Sequence, residues 1–325
     1  MRKSLGKETM TWLAAIGLAL IMGGCTGREK PPARSSGAGP AVEPEAVSLL
    51  GKPLFSPPPG ESALKNYEEA KRQFEMDPSE ENIIWLGRRA GYLGRYREAL
   101  KIISAGLAKY PDSYRLLRHR GHRFITLRRF QEAADDLAKA AALAQGKPRE
   151  IEPDGAPNKL NLPLSNTHFN IWYHLGLAYY LLGRFEDAEA AYRQCQIWSD
   201  NSDLAVATAD WLYMTLRRLK KDGDAARLLD EIRPDLTLVE NDSYYDRLLM
   251  YKGKKSPEDL LQPAGDTVDE KNLAFATQGY GVGNWYHCNG NWGKAAEVFQ
   301  KVISSPNWAA FGFIAAEADL ARMRK

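Results

Sequence analysis

The sequence predicts an all-α fold, a superhelix (solenoid) of stacked antiparallel helix pairs, and three observations carry that prediction. The first is self-similarity: "NIIWLGRRAGYLGRYREAL" from Asn82, "RLLRHRGHRFITLRRFQEAA" from Arg115 and "FNIWYHLGLAYYLLGRFEDAEAAY" from Phe169 share one pattern. Gly87 and Gly121 are separated by the same interval as Tyr96 and Phe130, and as Ala99 and Ala133. A fixed period in that range marks a repeat array. The second is the spacing within a copy, where positions 4, 7, 8 and 11 make one apolar helical stripe and positions 17, 20, 24 and 27 a second, after a turn. The third is size, since about 265 residues after residue 60 exceed what one compact core usually holds.

The elements follow in chain order. Residues 1–24 join a short charged start (Arg2, Lys3, Lys7, Glu8) to the apolar run "TWLAAIGLALIMGG". That run is too short for a membrane-spanning helix, which needs about twenty residues, and the pattern is that of a secretory signal peptide. Residues 25–60 carry eight prolines and five glycines. Such a stretch buries too little apolar surface to offset its ordering entropy, so a disordered tether is expected. Residues 61–78, "ESALKNYEEAKRQFEMDP", read as the second helix of a half repeat stopped at Asp77-Pro78.

Residues 80–147 hold repeats one and two. The third copy, residues 169–202, follows the second after more than one period, so residues 148–168 are an insertion. Residues 203–275 have room for two degenerate repeats, with Ser256-Pro257-Glu258 as a helix start. Residues 276–307 are a last repeat, with Gly283, Tyr286, Gly290, Trp292, Ala295 and Phe299 in register, and residues 308–325 are expected to form a capping helix. Cys195 and Cys288 are too few for a disulfide framework.

Two resemblances give these elements context. The third copy, with Trp172, Leu175, Gly176, Tyr179, Gly183, Ala188 and Tyr192, and the first, with Pro111 near its end, resemble the tetratricopeptide repeat (TPR). That likeness implies a right-handed superhelix whose first helices line a concave groove with positions 2, 5, 6, 9, 12 and 13. The groove residues so assigned are Trp85, Arg88 and Tyr92 from the first repeat, and Arg115, Arg118, His119 and His122 from the second. The third gives Asn170, Tyr173, His174 and Tyr180, and the fourth Asp210, Trp211, Met214 and Arg217. Arginines with aromatics are what protein-binding hot spots are made of. The sequence "MGGC" before Thr26 resembles the lipobox of bacterial lipoproteins, with Met22 where Leu is usual. It implies cleavage before Cys25, lipidation of that cysteine, palmitate included, and anchoring in the bacterial cell envelope, at the outer membrane facing the periplasm. Lipobox, tether and repeat order together resemble TPR lipoproteins that act as adaptors between a periplasmic protease and peptidoglycan hydrolases.

Charge narrows the partner class. Between Gly87 and Arg129 there are twelve Lys or Arg against two acids, whereas Asp222 to Glu270 carries thirteen acids and six bases. The basic end favours an acidic protein segment, with salt-dependent strength. An envelope location and the lack of a recognised nucleic-acid fold argue against nucleic acid. A second reading is a small anionic ligand or a glycan held by the same arginines. A third is a metal or hydrolytic site on His119, His122 and His174. Arg115, Arg118, Arg120 and Arg123 oppose a dication, and no nucleophile or paired carboxylate accompanies the histidines, so neither enzyme nor cofactor is expected. Arg120 and Arg123 fall at packing positions and need partners. The insertion offers Glu150, Glu152 and Asp154, and it is expected to fold back on the second repeat and pair with one of them.

Overall fold

The computed structural model describes residues 43–324 except 154, 156, 157, 263, 264 and 266. The signal segment, Cys25, residues 25–42 of the expected tether and Asp154 lie outside the described residues. No described helix is long and apolar enough to cross a membrane.

Residues 43–60 correct the tether expectation. "VSLLGKPLF" carries enough apolar surface to fold, and it makes a small antiparallel hairpin of β1 (Ala46–Val47) and β2 (Pro53–Leu54), with Ala46 opposite Leu54. Both of those side chains are buried in the main core. The hairpin is tied down by Trp308, whose indole N–H donates to the Phe55 carbonyl at 2.7 Å, and by Ser56, whose hydroxyl donates to the Gly94 carbonyl at 2.7 Å.

Helices then follow in pairs. After α1 (Glu61–Met76) come α2 (Glu80–Tyr92) with α3 (Tyr96–Lys109), α4 (Tyr114–Thr126) with α5 (Phe130–Ala144), and α6 (Thr167–Leu182) with α7 (Phe185–Ile197). Next are α8 (Ser202–Arg218) with α9 (Asp222–Asp230), the shorter α10 (Asp242–Tyr251) with α11 (Pro257–Leu260), then α12 (Val268–Cys288) with α13 (Trp292–Val302), and α14 (Phe311–Met323). Each helix packs on the next through α9, and first helices also touch first helices, α2 on α4, α4 on α6, α6 on α8. That double contact is what makes the array a solenoid.

The repeat pattern explains the pairing. At position 8 a glycine lets the second helix lay its position-24 side chain on the first helix's backbone. A Cβ on Gly87 would stand 2.7 Å from Ile103, one on Gly121 2.6 Å from Leu137, and one on Gly176 2.7 Å from Tyr192. At position 15 the chain turns through the left-handed region, at Gly94 (φ 73°), Gly183 (φ 80°) and Gly290 (φ 77°). In the second and fourth pairs the same turn is made by Arg128 (φ 63°) and Lys220 (φ 56°).

The last helix does more than cap. It packs on α12 and α13, and it also reaches α6. Residues Gly312–Leu320 are buried on every side. Its two acids pair with arginines from distant repeats: Glu317 with Arg128 at 2.9 Å, and Asp319 with Arg218 at 2.6 Å. A helix this small and apolar all round is built for an interior, and here that interior is the inner side of the solenoid.

Candidate basic pocket and interaction face

The expected groove residues do lie along successive first helices, but most are covered. Tyr180, Asp210, Trp211 and Met214 are fully buried, and Asn170, Tyr173 and His174 nearly so. This corrects the expectation of an open groove along repeats three and four. Its physical cause is that other elements of the chain already use these side chains. Asp210 forms a buried ion pair with Arg247 of α10. Trp211 stacks on Tyr280 of α12, with ring centroids 5.7 Å apart, and Tyr180 donates to Asn284 of α12 at 3.1 Å. Tyr173 donates to Tyr244 of α10 at 3.1 Å, and Arg217 pairs with Asp222 at 2.8 Å. These residues hold the molecule together.

Apart from the half-buried Arg217, what remains accessible of these residues lies at the basic end. Tyr92 is 46% exposed, and Trp85, Arg88, Arg115 and His122 are half-buried. On α2 the guanidinium of Arg88 sits 4.5 Å from the Trp85 ring, and that of Arg89 sits 5.1 Å from it and 5.7 Å from Tyr92. This makes a half-exposed ladder of alternating cations and rings, to which the repeat register did not assign Arg89. Arg115 is neutralised by Glu80, at 3.6 Å, and by Glu81.

The insertion folds back over α2 and α4. A bridge between Ile151 and Asn166 closes its base, with Thr167 N–H donating to the Glu150 carbonyl at 2.9 Å. Gly155 accepts from Arg89 at 2.8 Å and lies hard against Tyr92. The acid that meets the basic helix is Glu152, and its partner is Arg118 at 2.9 Å, not Arg120 or Arg123. Arg120 instead makes a bidentate pair with Asp136 of α5, at 2.6 and 2.8 Å. Arg123 stacks on the Tyr96 ring at 5.5 Å and makes no hydrogen bond or ion pair among the described residues.

Beneath the ladder, α2, α4 and Glu152 enclose a cavity of about 100 Å³ that also touches Arg88, Tyr92, His119, His122 and Arg123. Burial, then the surrounding arginines, hold His119 well below its ordinary value; His122 is lowered by burial, Arg123 and its neighbour His174. Burial pushes the Arg118 guanidinium down to about 10 against the pull of Glu152, and burial also lowers Arg123. The histidines do come together: the His122 and His174 rings lie with centroids 4.5 Å apart at a tilt of 38°, and His174 Nδ1 donates to the Asn170 carbonyl at 2.5 Å. Neutral imidazoles among guanidiniums make a positive site, unfavourable for a dication. Among the described residues no three His, Cys, Asp or Glu are placed to hold a metal ion.

Known proteins share parts of this architecture. Residues 86–148 and residues 169–201 each match a family model described as tetratricopeptide repeat. Among solved structures the chain is similar to YrrB, a TPR protein with an unusual peptide-binding site, at 14% identity and a TM-score of 0.41, over 78% of this chain and 99% of that one. It is also similar to a tetratricopeptide repeat protein from Parabacteroides merdae, at 16% identity and a TM-score of 0.46, over 79% and 92%. A third is the APC/C hetero-tetramer Cut9–Hcn1, at 16% identity and a TM-score of 0.32, over 81% and 62%. No curated protein matches the chain.

Proposed function

We propose that this chain, with tetratricopeptide repeats at residues 86–148 and 169–201, is a non-enzymatic adaptor that takes an acidic segment of a partner protein on the basic face of α2. Tetratricopeptide repeats mediate protein–protein interaction, and the observation that carries this reading is the half-exposed ladder of Trp85, Arg88, Arg89 and Tyr92. Stacked guanidiniums are held in place before a partner arrives, so less side-chain entropy is lost on binding. Their charge attracts carboxylates over about 8 Å at physiological ionic strength.

In this reading the lipobox-like sequence before Cys25 supports anchoring of the same adaptor on a bacterial envelope membrane, facing the periplasm, with an envelope protein as its partner. A photocrosslinking amino acid at Tyr92 should capture a partner in intact cells, whereas the same group at Trp292, which is 60% exposed at the far end of the array, should not. In the same cells a Cys25→Ser chain should leave the membrane fraction. Equal capture from both positions contradicts the assigned face, and an unchanged membrane fraction contradicts the anchor.

A further inference from the structure

The cavity under the ladder is over-supplied with positive charge. Arg88, Arg118 and Arg123 touch it, and Glu152 is the carboxylate that meets them. Three positive charges less one negative leaves +2 around about 100 Å³. Glu152 is already committed, at 2.9 Å from Arg118 and accepting from the Asn170 amide at 3.0 Å. Arg118, only 7% exposed, keeps its Nε buried without a partner. Arg88 forms no ion pair among the described residues, and its polar contact is the Tyr92 hydroxyl at 3.5 Å. Arg123 lies against the Tyr96 ring and the backbone surface at Gly91, with no ion pair among the described residues.

Guanidiniums drawn out of water without full counter-charge are costly, and the fold turns three toward one small space. Arg118 is buried and shares Glu152, and Arg88 and Arg123 are half-buried and without an ion pair among the described residues. A water needs about 10–15 Å³ of such volume, so the cavity accommodates a group of a few heavy atoms and excludes a peptide chain. Planar guanidinium forks match the paired oxygens of a tetrahedral oxyanion. We propose that this cavity is a binding site for a doubly charged oxyanion of phosphate size, either free phosphate or the phosphate of a small monoester, held by Arg88, Arg118 and Arg123. The site shares Arg88 and Tyr92 with the partner face above it, whereas Arg118 and Arg123 belong to the cavity alone. The ester of a bound molecule would leave past Tyr92, the exposed residue of the lining.

The test is isothermal titration calorimetry of the full chain with inorganic phosphate, phenyl phosphate and succinate, at constant ionic strength set with chloride. We expect one saturable site for phosphate, about 10–100-fold weaker in Arg123→Gln and unchanged in Arg120→Gln, whose guanidinium belongs to Asp136. Thermal unfolding separates this from a folding defect: phosphate should raise the Tm of the parent and not that of Arg123→Gln, which removes a half-buried charge without an ion pair among the described residues and should stay folded. Phenyl phosphate binding as well as phosphate identifies monoesters as ligands, and phosphate alone identifies the free ion; both support the site. No saturable phosphate binding, equal affinity in Arg123→Gln, or succinate binding as tightly as phosphate overturns it.

Discussion

Arg128 shows how one side chain can be worth a strained backbone. Its φ of 63° is the conformation that glycine adopts at the equivalent turns, and an L-residue there costs about 1–2 kcal/mol. What offsets this is the side chain, which donates to the Thr126 and Trp308 carbonyls at 2.6 and 2.8 Å and pairs with Glu317. Both members of the pair are nearly inaccessible, at 3% and 1% side-chain exposure, and Glu317 also accepts from the Leu49 N–H at 2.6 Å. One carboxylate therefore joins the hairpin, the second repeat and the last helix. Glu317→Gln should lower the unfolding free energy by about 3–5 kcal/mol, because it leaves a buried guanidinium uncompensated. Arg128→Gly relieves the backbone cost but strands Glu317, so it too should be less stable than the parent in urea unfolding. An Arg128→Gly chain as stable as the parent would show that the side chain's contacts contribute no more than the backbone conformation costs.

At the scale of elements, the repeat period makes the helix pairs legible, because each position-8 glycine needs a position-24 side chain from the next helix to lie against it. The insertion is legible as well, as a stretch that breaks the period, and its acids point to the basic helix. Which arginine it meets is not legible. Arg118 lies on the side of α4 toward which the insertion folds, whereas Arg120 faces its own repeat's second helix and finds Asp136 there. Sequence spacing alone does not show that a packing position can be satisfied by an acid on the following helix. Glu152→Gln should therefore destabilise the chain by about 3 kcal/mol, measured by denaturant unfolding. If it costs no more than the ~0.5 kcal/mol typical of surface substitutions, the insertion does not serve as a structural clamp.

For the whole molecule, the decisive feature is that the solenoid fills its own inner side. Repeat register assigns those positions to successive first helices, where the residues lie. It does not reveal that α10, α12 and α14 pack on that face over repeats three and four. A signal for α14 is present in "GFIAAEADL": small and apolar residues on all sides with two isolated acids mark a buried helix whose charges have waiting partners. Gly312 in that helix stands directly against the Ala276 carbonyl of α12, an approach that leaves no room for a Cβ. With the inner side filled over repeats three and four, the proposed partner face is the half-exposed part of α2 beside the insertion, where Tyr92 is 46% exposed and Trp85, Arg88 and Arg89 are half-buried. The most direct test of that face is affinity capture from a lysate of the native cells with the parent chain and a Trp85→Ala/Arg89→Ala chain, at low and at high salt. A partner should be retained by the parent at low salt, reduced at high salt, and lost by the variant while its Tm is little changed. The same partner retained equally by a folded variant, with no dependence on salt, would contradict it.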